Sequence, residues 1–258
     1  MFGVEILGGL GNMLFCVTMG EWLEHKYKMK VVYPNAHRWF NALPTASTWT
    51  THAEEYKTIF KYFDWFKNEE LGSKIIKVKQ MPFRHNPFIP QNRVCYAGYF
   101  QSYRNFDADF VRERFKPSDS VKQRLDAYNY LFGVKTCSIH VRRGNYVGHD
   151  SHVTQTMDYY NKAMKIINAD RYLVFSNDVL WCKENFIGEK FIFVEDTDYI
   201  EMFLMSRCTH NIIGNSSFSY WGAMFGNPEG RKVTYPSNWF PNNNPDAHDI
   251  CPLKWIKI

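Results

Sequence analysis

Ile139-His140-Val141-Arg142-Arg143-Gly144-Asn145-Tyr146, IHVRRGNY, is the stretch on which the reading of this chain turns. A short β-like run, Thr136 to Val141, stops at two arginines and a glycine. Such a stop is either a surface basic cluster or a seat for a diphosphate. Arginine offers planar, paired donors that match phosphate oxygens. Consecutive strand residues face opposite ways, so only one of Arg142 and Arg143 can face a ligand. The other is then expected in structural ion pairs. His140 either bonds a ribose or base, or fills the core.

Outward from this stretch, strand and helix patterns alternate. Helices are predicted over Asp158 to Ile167, 179–186, Asp198 to Met205 and Phe218 to Phe225. Strands are predicted over Tyr172 to Ser176, Phe191 to Val194, Asn211 to Gly214 and, last, Val233 to Tyr235. Regular alternation of this kind predicts a parallel, doubly wound sheet. The start of the chain repeats the theme. A strand is predicted from Phe2 to Leu7, a glycine turn at Gly8-Gly9-Leu10-Gly11, a helix from Met13 to Tyr27 and a strand from Lys30 to Tyr33. Between them, helical stretches are predicted near 52–67, a strand over Arg93 to Phe100, a helix over Asp107 to Phe115, and another helix from Ser118-Asp119-Ser120 to about Phe132. The fold class expected is α/β, with two Rossmann-like domains facing a cleft. One domain covers residues 1–130 and the other 131–258.

In open α/β sheets, ligands sit beyond the carboxyl ends of the strands. Four such ends carry suitable groups. The first is GGLGN, where Gly9 and Gly11 allow close backbone approach to a ligand; the alternative is a plain tight turn. Leu14 stands where a third glycine of G-x-G-x-x-G would fall, and no acidic residue ends the second strand, so a dinucleotide cofactor is not expected. The second is Arg142. The third is Asn177-Asp178, where Asp178 either accepts the N–H groups of a guanine edge or caps the next helix. The fourth is Asn215-Ser216-Ser217-Phe218, whose hydroxyls and backbone N–H groups open a helix as an anion nest. Asn215-Ser216-Ser217 also fits a glycosylation acceptor pattern. Together the four ends suit a nucleotide sugar. No metal site is expected, because Asp196-Thr197-Asp198 precedes a helix and is accounted for as a cap, and an arginine with a helix end can neutralise a leaving diphosphate.

Composition agrees with a globular chain. Of 258 residues, 45% are hydrophobic and 22% charged, which excludes disorder. A net charge of +5 without any like-charged block suits anionic ligands better than nucleic acid. The six cysteines show neither C-x-x-C pairing nor zinc spacing, so reduced, buried thiols are expected. The apolar start is broken by Glu5 and glycines and reads as neither signal peptide nor membrane span.

GGLGNMLF (8–15), HVRRGNY (140–146), MDYYNKAM (157–164), FSNDVLWCK (175–183), MSRCTHNIIGNSSFSYWGA (205–223) and YPSNWF with PLKWIKI (235–258) together resemble the α-1,2-fucosyltransferase family, glycosyltransferase family 11. The pieces occur in the family's order and span nearly the whole chain. The resemblance implies a GT-B-type fold and an inverting, metal-independent transfer of L-fucose from GDP-β-L-fucose to a glycan hydroxyl, with α-1,2 linkage to galactose as the leading assignment. Alternatives are another GDP-sugar donor or linkage, or a catalytically weak glycan-binding homologue. By residue match, Arg142 binds the β-phosphate, His140 lies near the guanosine, Asn177 or Asp178 holds the guanine, and Ser216 and Ser217 bind phosphate oxygens. Asn12 faces the reaction centre. His149 and Asp150 are candidates for a base by proximity alone. Three departures stand out: Asn145 in place of the family's Asp, Met13 in place of Gln, and Tyr220 in place of Trp. Animal relatives carry a membrane anchor. This chain is expected to be a cytoplasmic enzyme of bacterial or viral type, with peripheral contact to lipid-linked acceptors left open.

Overall fold

The computed structural model describes residues 1–36, 71, 76–80, 83–241 and 249–258. The helical stretches expected near 52–67 lie outside these residues. The chain divides into two compact units, Met1–Ser118 with His248–Ile250, and Asp119–Ala247 with Cys251–Ile258.

The first unit holds a parallel sheet of four strands in the order β2-β1-β4-β3. Its strands are β1 (Phe2–Val4), β2 (Val31–Val32), β3 (Ile76–Lys79) and β4 (Val94–Ala97). Strand β1 is buried throughout, as a central parallel strand covered on both faces must be. It is shorter than expected. Beyond Val4 the backbone of Ile6 turns to the Asn35 side chain, which both donates to its carbonyl and accepts from its N–H, each at 2.8 Å. Strand β3 was not expected from the sequence. It is an edge strand in which Ile76 and Val78 alternate with Lys77 and Lys79, and three of its four residues are exposed.

Helix α1 (Leu10–Tyr27) begins earlier than expected. The Gly9 carbonyl accepts from both Asn12 and Met13 N–H, each at 2.9 Å, and Gly8, at φ +71°, turns the chain into it. Helix α2 (Ala108–Arg114) is capped by Asp107, which accepts from Phe110 N–H. Buried Glu21 of α1 ties these helices together, pairing with Arg114 at 2.6 Å and accepting from the Tyr33 hydroxyl at 3.2 Å.

The second unit holds a parallel sheet of six strands in the order β10-β9-β8-β5-β6-β7. The strands are β5 (Thr136–Val141), β6 (Arg171–Ser176), β7 (Phe191–Phe193), β8 (His210–Ile212), β9 (Val233–Tyr235) and β10 (Ile256–Lys257). Helices α3 (Asp119–Asp126), α4 (Met157–Ile166), α5 (Val179–Asn185), α6 (Asp198–Arg207) and α7 (Ser217–Met224) complete the unit. Strand order reverses at β5, giving the doubly wound arrangement that alternation predicted. The odd residues of β5, Cys137, Ile139 and Val141, enter a core with Tyr159, Tyr160 and Ala163 of α4 and Cys182 of α5. The even residues face the other layer, where Ser138 accepts from Asn211 and His140 meets Phe218 of α7. Strand β10, two residues long, pairs with β9 and carries too little pattern to be read from sequence.

Helix α3 ends at Asp126, short of the expected Phe132. Arg207 from α6 takes the Leu125 carbonyl at 2.8 Å and also bonds Asn129, which closes the helix with a short 3₁₀ turn at Asn129–Leu131. Arg124 of α3 pairs with Asp196 at 2.6 Å, and the Tyr128 hydroxyl donates to the same carboxylate at 2.7 Å. The division between units therefore falls after Ser118, because α3 packs on α6; the sequence reading placed it after residue 130. All six cysteines are buried and unpaired with one another.

Glu201, on α6, carries a fold-level cost. Burial first, and then Asp198, Asp196 and Glu195 beside it, push its carboxyl from 4.5 up to about 8, against the hydrogen bond it accepts from Asp196 N–H. Its folded value lies above the unfolded one, so between roughly pH 4.5 and 8 the unfolded chain holds fewer protons and stability falls as pH rises. Glu201→Gln, which keeps the acceptor, is expected to leave stability near pH 4.5 unchanged and to raise it near pH 8 by roughly 1–3 kcal/mol. Denaturant midpoints across this range check it, and parallel pH curves for the two proteins would refute it.

Candidate functional site

Strands β5 and β8 are neighbours whose outgoing connections run to opposite sides, so their carboxyl ends flank the switch point of the second unit's sheet. Two tyrosines of α4 hold those ends. The Tyr159 hydroxyl donates to Ile213 O at 2.5 Å, beyond β8, and the Tyr160 hydroxyl donates to His140 O at 3.4 Å, in β5. Gly214 passes close to β5. A Cβ there would stand 3.2 Å from the His140 carbonyl oxygen, tighter than a backbone neighbour readily accommodates.

Arg142 and Arg143 leave β5 on opposite faces. Arg143 follows Val141 toward α5. Its Nε donates to Asp178 at 3.0 Å, and its guanidinium lies 4.2 Å over the Trp181 ring. Arg142 follows His140. Its Nη2 donates to Asn145 Oδ1 at 2.7 Å, and its guanidinium lies 5.0 Å over Tyr146. Tyr146 in turn stacks on His152 at 4.0 Å and 4°, with His149 at 4.8 Å from His152. Burial, then His149 and Arg142, lower the His152 pKa. Among the described residues, no carboxylate lies within ion-pair distance of Arg142.

His140 is buried, and its Nδ1 has no hydrogen-bond partner among the described residues. Burial, with Arg142 assisting, drives its pKa down to about 3, so the ring stays neutral at physiological pH. Its neighbour is the start of α7, with the Phe218 ring at 5.4 Å. Ser216 caps that helix, accepting from Phe218 N–H at 3.3 Å, and Ser217 opens it, half-buried. The helix end presents N–H groups and a positive dipole end beside a neutral imidazole and an arginine.

Asn215 is buried and holds this turn. Its Nδ2 donates to Val153 O at 2.9 Å and Trp239 O at 3.1 Å, and its Oδ1 accepts from Gln155 at 3.3 Å. Its amide is committed to structure, which leaves the glycosylation pattern without a surface acceptor. Asn177 is exposed and accepts from Arg143 N–H at 2.9 Å. Gly144, at φ +46°, lies against it; a Cβ at Gly144 would meet Asn177 Nδ2 at 2.2 Å. Asp178 uses one oxygen for Arg143 and the other for Trp181 N–H, the first turn of α5. The helix-cap alternative thus describes its contacts here. Asp196 is engaged by Arg124 and Tyr128, and among the described residues no cluster of three His, Cys, Asp or Glu side chains could hold a metal.

In the first unit, Gly9 and Gly11 form the entry of α1, and Asn12 Oδ1 accepts from buried Gln101 at 2.6 Å. Met13 is 2% exposed, so the residue that departs from the family pattern packs into the core. His149 and Asp150 are exposed in the loop after Arg142. The sequence marks Asn145 only as a departure from the family pattern, and it gives no local signal for Tyr146, Gln155 and the two tyrosines as supports of the site.

Two units, each built on a parallel sheet, are the architecture of the GT-B-type fold, and the second presents a cation, a neutral imidazole and a helix N-terminus at its switch point. The match to Glycosyl transferase family 11 extends over residues 44–258, and the chain belongs to that family: it is a glycosyltransferase. It is 29% identical to an "Alpha-1,2-colitosyltransferase" of Escherichia coli over 98% of this chain and 97% of that protein. It is 34% identical to "O-antigen biosynthesis glycosyltransferase WbnK" of E. coli over 65% of this chain and 62% of that protein. It is 23% identical to "Galactoside alpha-(1,2)-fucosyltransferase 2" of Rattus norvegicus over 86% of this chain, spanning 66% of the relative. Among solved structures, the fold matches fucosyltransferase NodZ from Bradyrhizobium with a TM-score of 0.52 at 11% identity, covering 87% of this chain and 93% of that one. No helix among the described residues is long and apolar enough to cross a membrane.

Asn215→Ala would remove the donor to the Val153 and Trp239 carbonyls and one of the two acceptors of the Gln155 amide, which keeps Asn238 O at 3.5 Å. The expected cost is about 2–4 kcal/mol of stability in urea titration. Asn215→Asp, which replaces the donor by a carboxylate facing carbonyls, is expected to be at least as costly; a variant as stable as the parent would show that Asn215 does not hold the turn.

Proposed function

We propose that this chain is an inverting, metal-independent transferase that moves L-fucose from GDP-β-L-fucose to a glycan hydroxyl, forming an α-1,2 link to galactose. The observation that supports it is Arg142: an arginine with no carboxylate partner among the described residues, at the end of β5, in the unit where α7 opens beside buried His140. Arg142 and the α7 end take the diphosphate, with Ser216 and Ser217 bonding its oxygens. Neutral His140 offers Nδ1 to the nucleoside. Asn177 and Asp178 sit at the adjacent strand end, where the guanine would lie. As the C1–O bond to GDP breaks, negative charge grows on the diphosphate, and fixed cationic donors stabilise it without a metal. The acceptor oxygen bonds C1 from the opposite face, its proton passes to a base or solvent, and GDP leaves. Asn12 of the first unit is assigned to the reaction centre on the family resemblance.

A second reading keeps the site and changes the sugar. A relative that is covered along nearly its whole length is named a colitosyltransferase, so a GDP-linked colitose is the alternative donor.

GDP release is measured with GDP-fucose, GDP-mannose and a GDP-linked colitose, with and without β-galactosides, in the presence of a chelator. Galactoside-stimulated, chelator-resistant turnover of GDP-fucose is expected; turnover of the colitose donor alone would select the second reading. Arg142→Ala is expected to lose on the order of 10²–10³ in rate without a change in melting. Arg143→Ala is expected to lower stability by roughly 1–2 kcal/mol through the lost Asp178 and Trp181 contacts. Near-full activity of Arg142→Ala would overturn the phosphate assignment.

A further inference from the structure

The two arginines at the end of β5 are held in opposite ways. Arg143 is neutralised by a carboxylate, Asp178, and lies over an indole. Arg142 is held by a neutral amide, Asn145 Oδ1 at 2.7 Å, and lies over the Tyr146 phenol ring. Both holds on Arg142 fix the guanidinium without cancelling its charge, since an amide oxygen and a ring face are dipole and quadrupole partners. The holding segment is itself built. Gly144, at φ +46°, starts a 3₁₀ turn over Gly144–Tyr146, in which Tyr146 N–H bonds Arg143 O at 2.8 Å. His152 backs Tyr146 from its ring face, and three residues on, Gln155 ties the loop to Asn215 in the turn before α7.

We infer that Asn145 is a positioning residue whose neutrality is its function: it aims Arg142 while leaving the full cationic charge for a doubly charged diphosphate. A carboxylate of the same shape at this position, as in the family pattern, would keep the geometry and partly offset that charge. The inference rests on the donor-site reading above and adds to it the residue that sets the electrostatic strength of the site. Because Asn145 is exposed, the effect is screened by salt, which a purely geometric role would not be.

The test titrates GDP into the full-length protein and into Asn145→Asp and Asn145→Ala by calorimetry, at about 0.05 M and about 0.5 M salt, with a melting curve for each. Asn145→Asp is expected to weaken GDP binding about tenfold or more at low salt, with most of that loss gone at high salt. Asn145→Ala, which loses the aim but keeps the charge, is expected to weaken it about threefold or less at both salts. All three proteins melt alike. In turnover, the Asn145→Asp defect is expected in KM for the nucleotide sugar more than in kcat. Equal binding by the parent and Asn145→Asp, or a larger loss in Asn145→Ala than in Asn145→Asp, would overturn the inference while leaving the donor site standing. A parent protein that does not bind GDP would overturn the donor-site reading, and this inference with it.

Discussion

Two consecutive side chains at the end of a strand cannot point the same way, and the second unit is organised around that constraint. The parity that buries Cys137, Ile139 and Val141 under α4 and α5 sends Arg143 to the α5 side, where Asp178 and Trp181 receive it. The opposite parity carries Ser138, His140 and then Arg142 to the side of α7. A one-residue slip of β5 would exchange the arginines and put a charge into the apolar layer. Register is fixed by pairing with β6 along the whole strand and with β8 over Cys137 to Ile139. The core thus decides which of the two arginines is paired with a carboxylate and which is not.

Burial then shapes the chemistry next to Arg142. Beside that guanidinium, a second cation would be costly, and His140 avoids the cost by staying neutral, with burial as the larger cause and Arg142 as the smaller. A neutral imidazole holds its pairing capacity across the whole physiological range. The unpartnered Nδ1 is a polar atom that the fold desolvates without satisfying. Such an atom costs stability, and a ligand that bonds it recovers the loss.

Much of this arrangement was legible in the sequence, and the limits have physical causes. Alternation of strand and helix gave the parallel sheets, because strands buried on both faces read as apolar runs; β5 and β6 were placed to within a residue. Strand β3 was not legible: Ile76-Lys77-Val78-Lys79 alternates apolar and charged residues, but over only four residues of a mostly exposed edge. Arg142 and Arg143 could be told apart as a pair by strand parity, but which one faces the ligand needed Asp178 and Trp181 in place. The roles of Asn145, Tyr146 and His152 depend on a 3₁₀ turn and a ring stack, which loop composition does not specify. The Gln155–Asn215 bond joins residues sixty positions apart and leaves no local pattern.

Asn215 links the stability of the unit to its site. Its amide joins the turn before α7 to the loop at Val153 and to the segment at Trp239, so three stretches distant in sequence converge where the helix begins. A helix end aims its N–H groups usefully only if its first turn is immobile, because an anion gains from fixed dipoles and loses by having to order mobile ones. The same loop that Gln155 anchors carries Tyr146 and His152, the stack under Arg142. The loop that carries Asn145 and Tyr146, which hold Arg142, and the turn that opens α7 are therefore tied to each other by the buried Gln155–Asn215 bond, on which Asn215 spends its polar atoms.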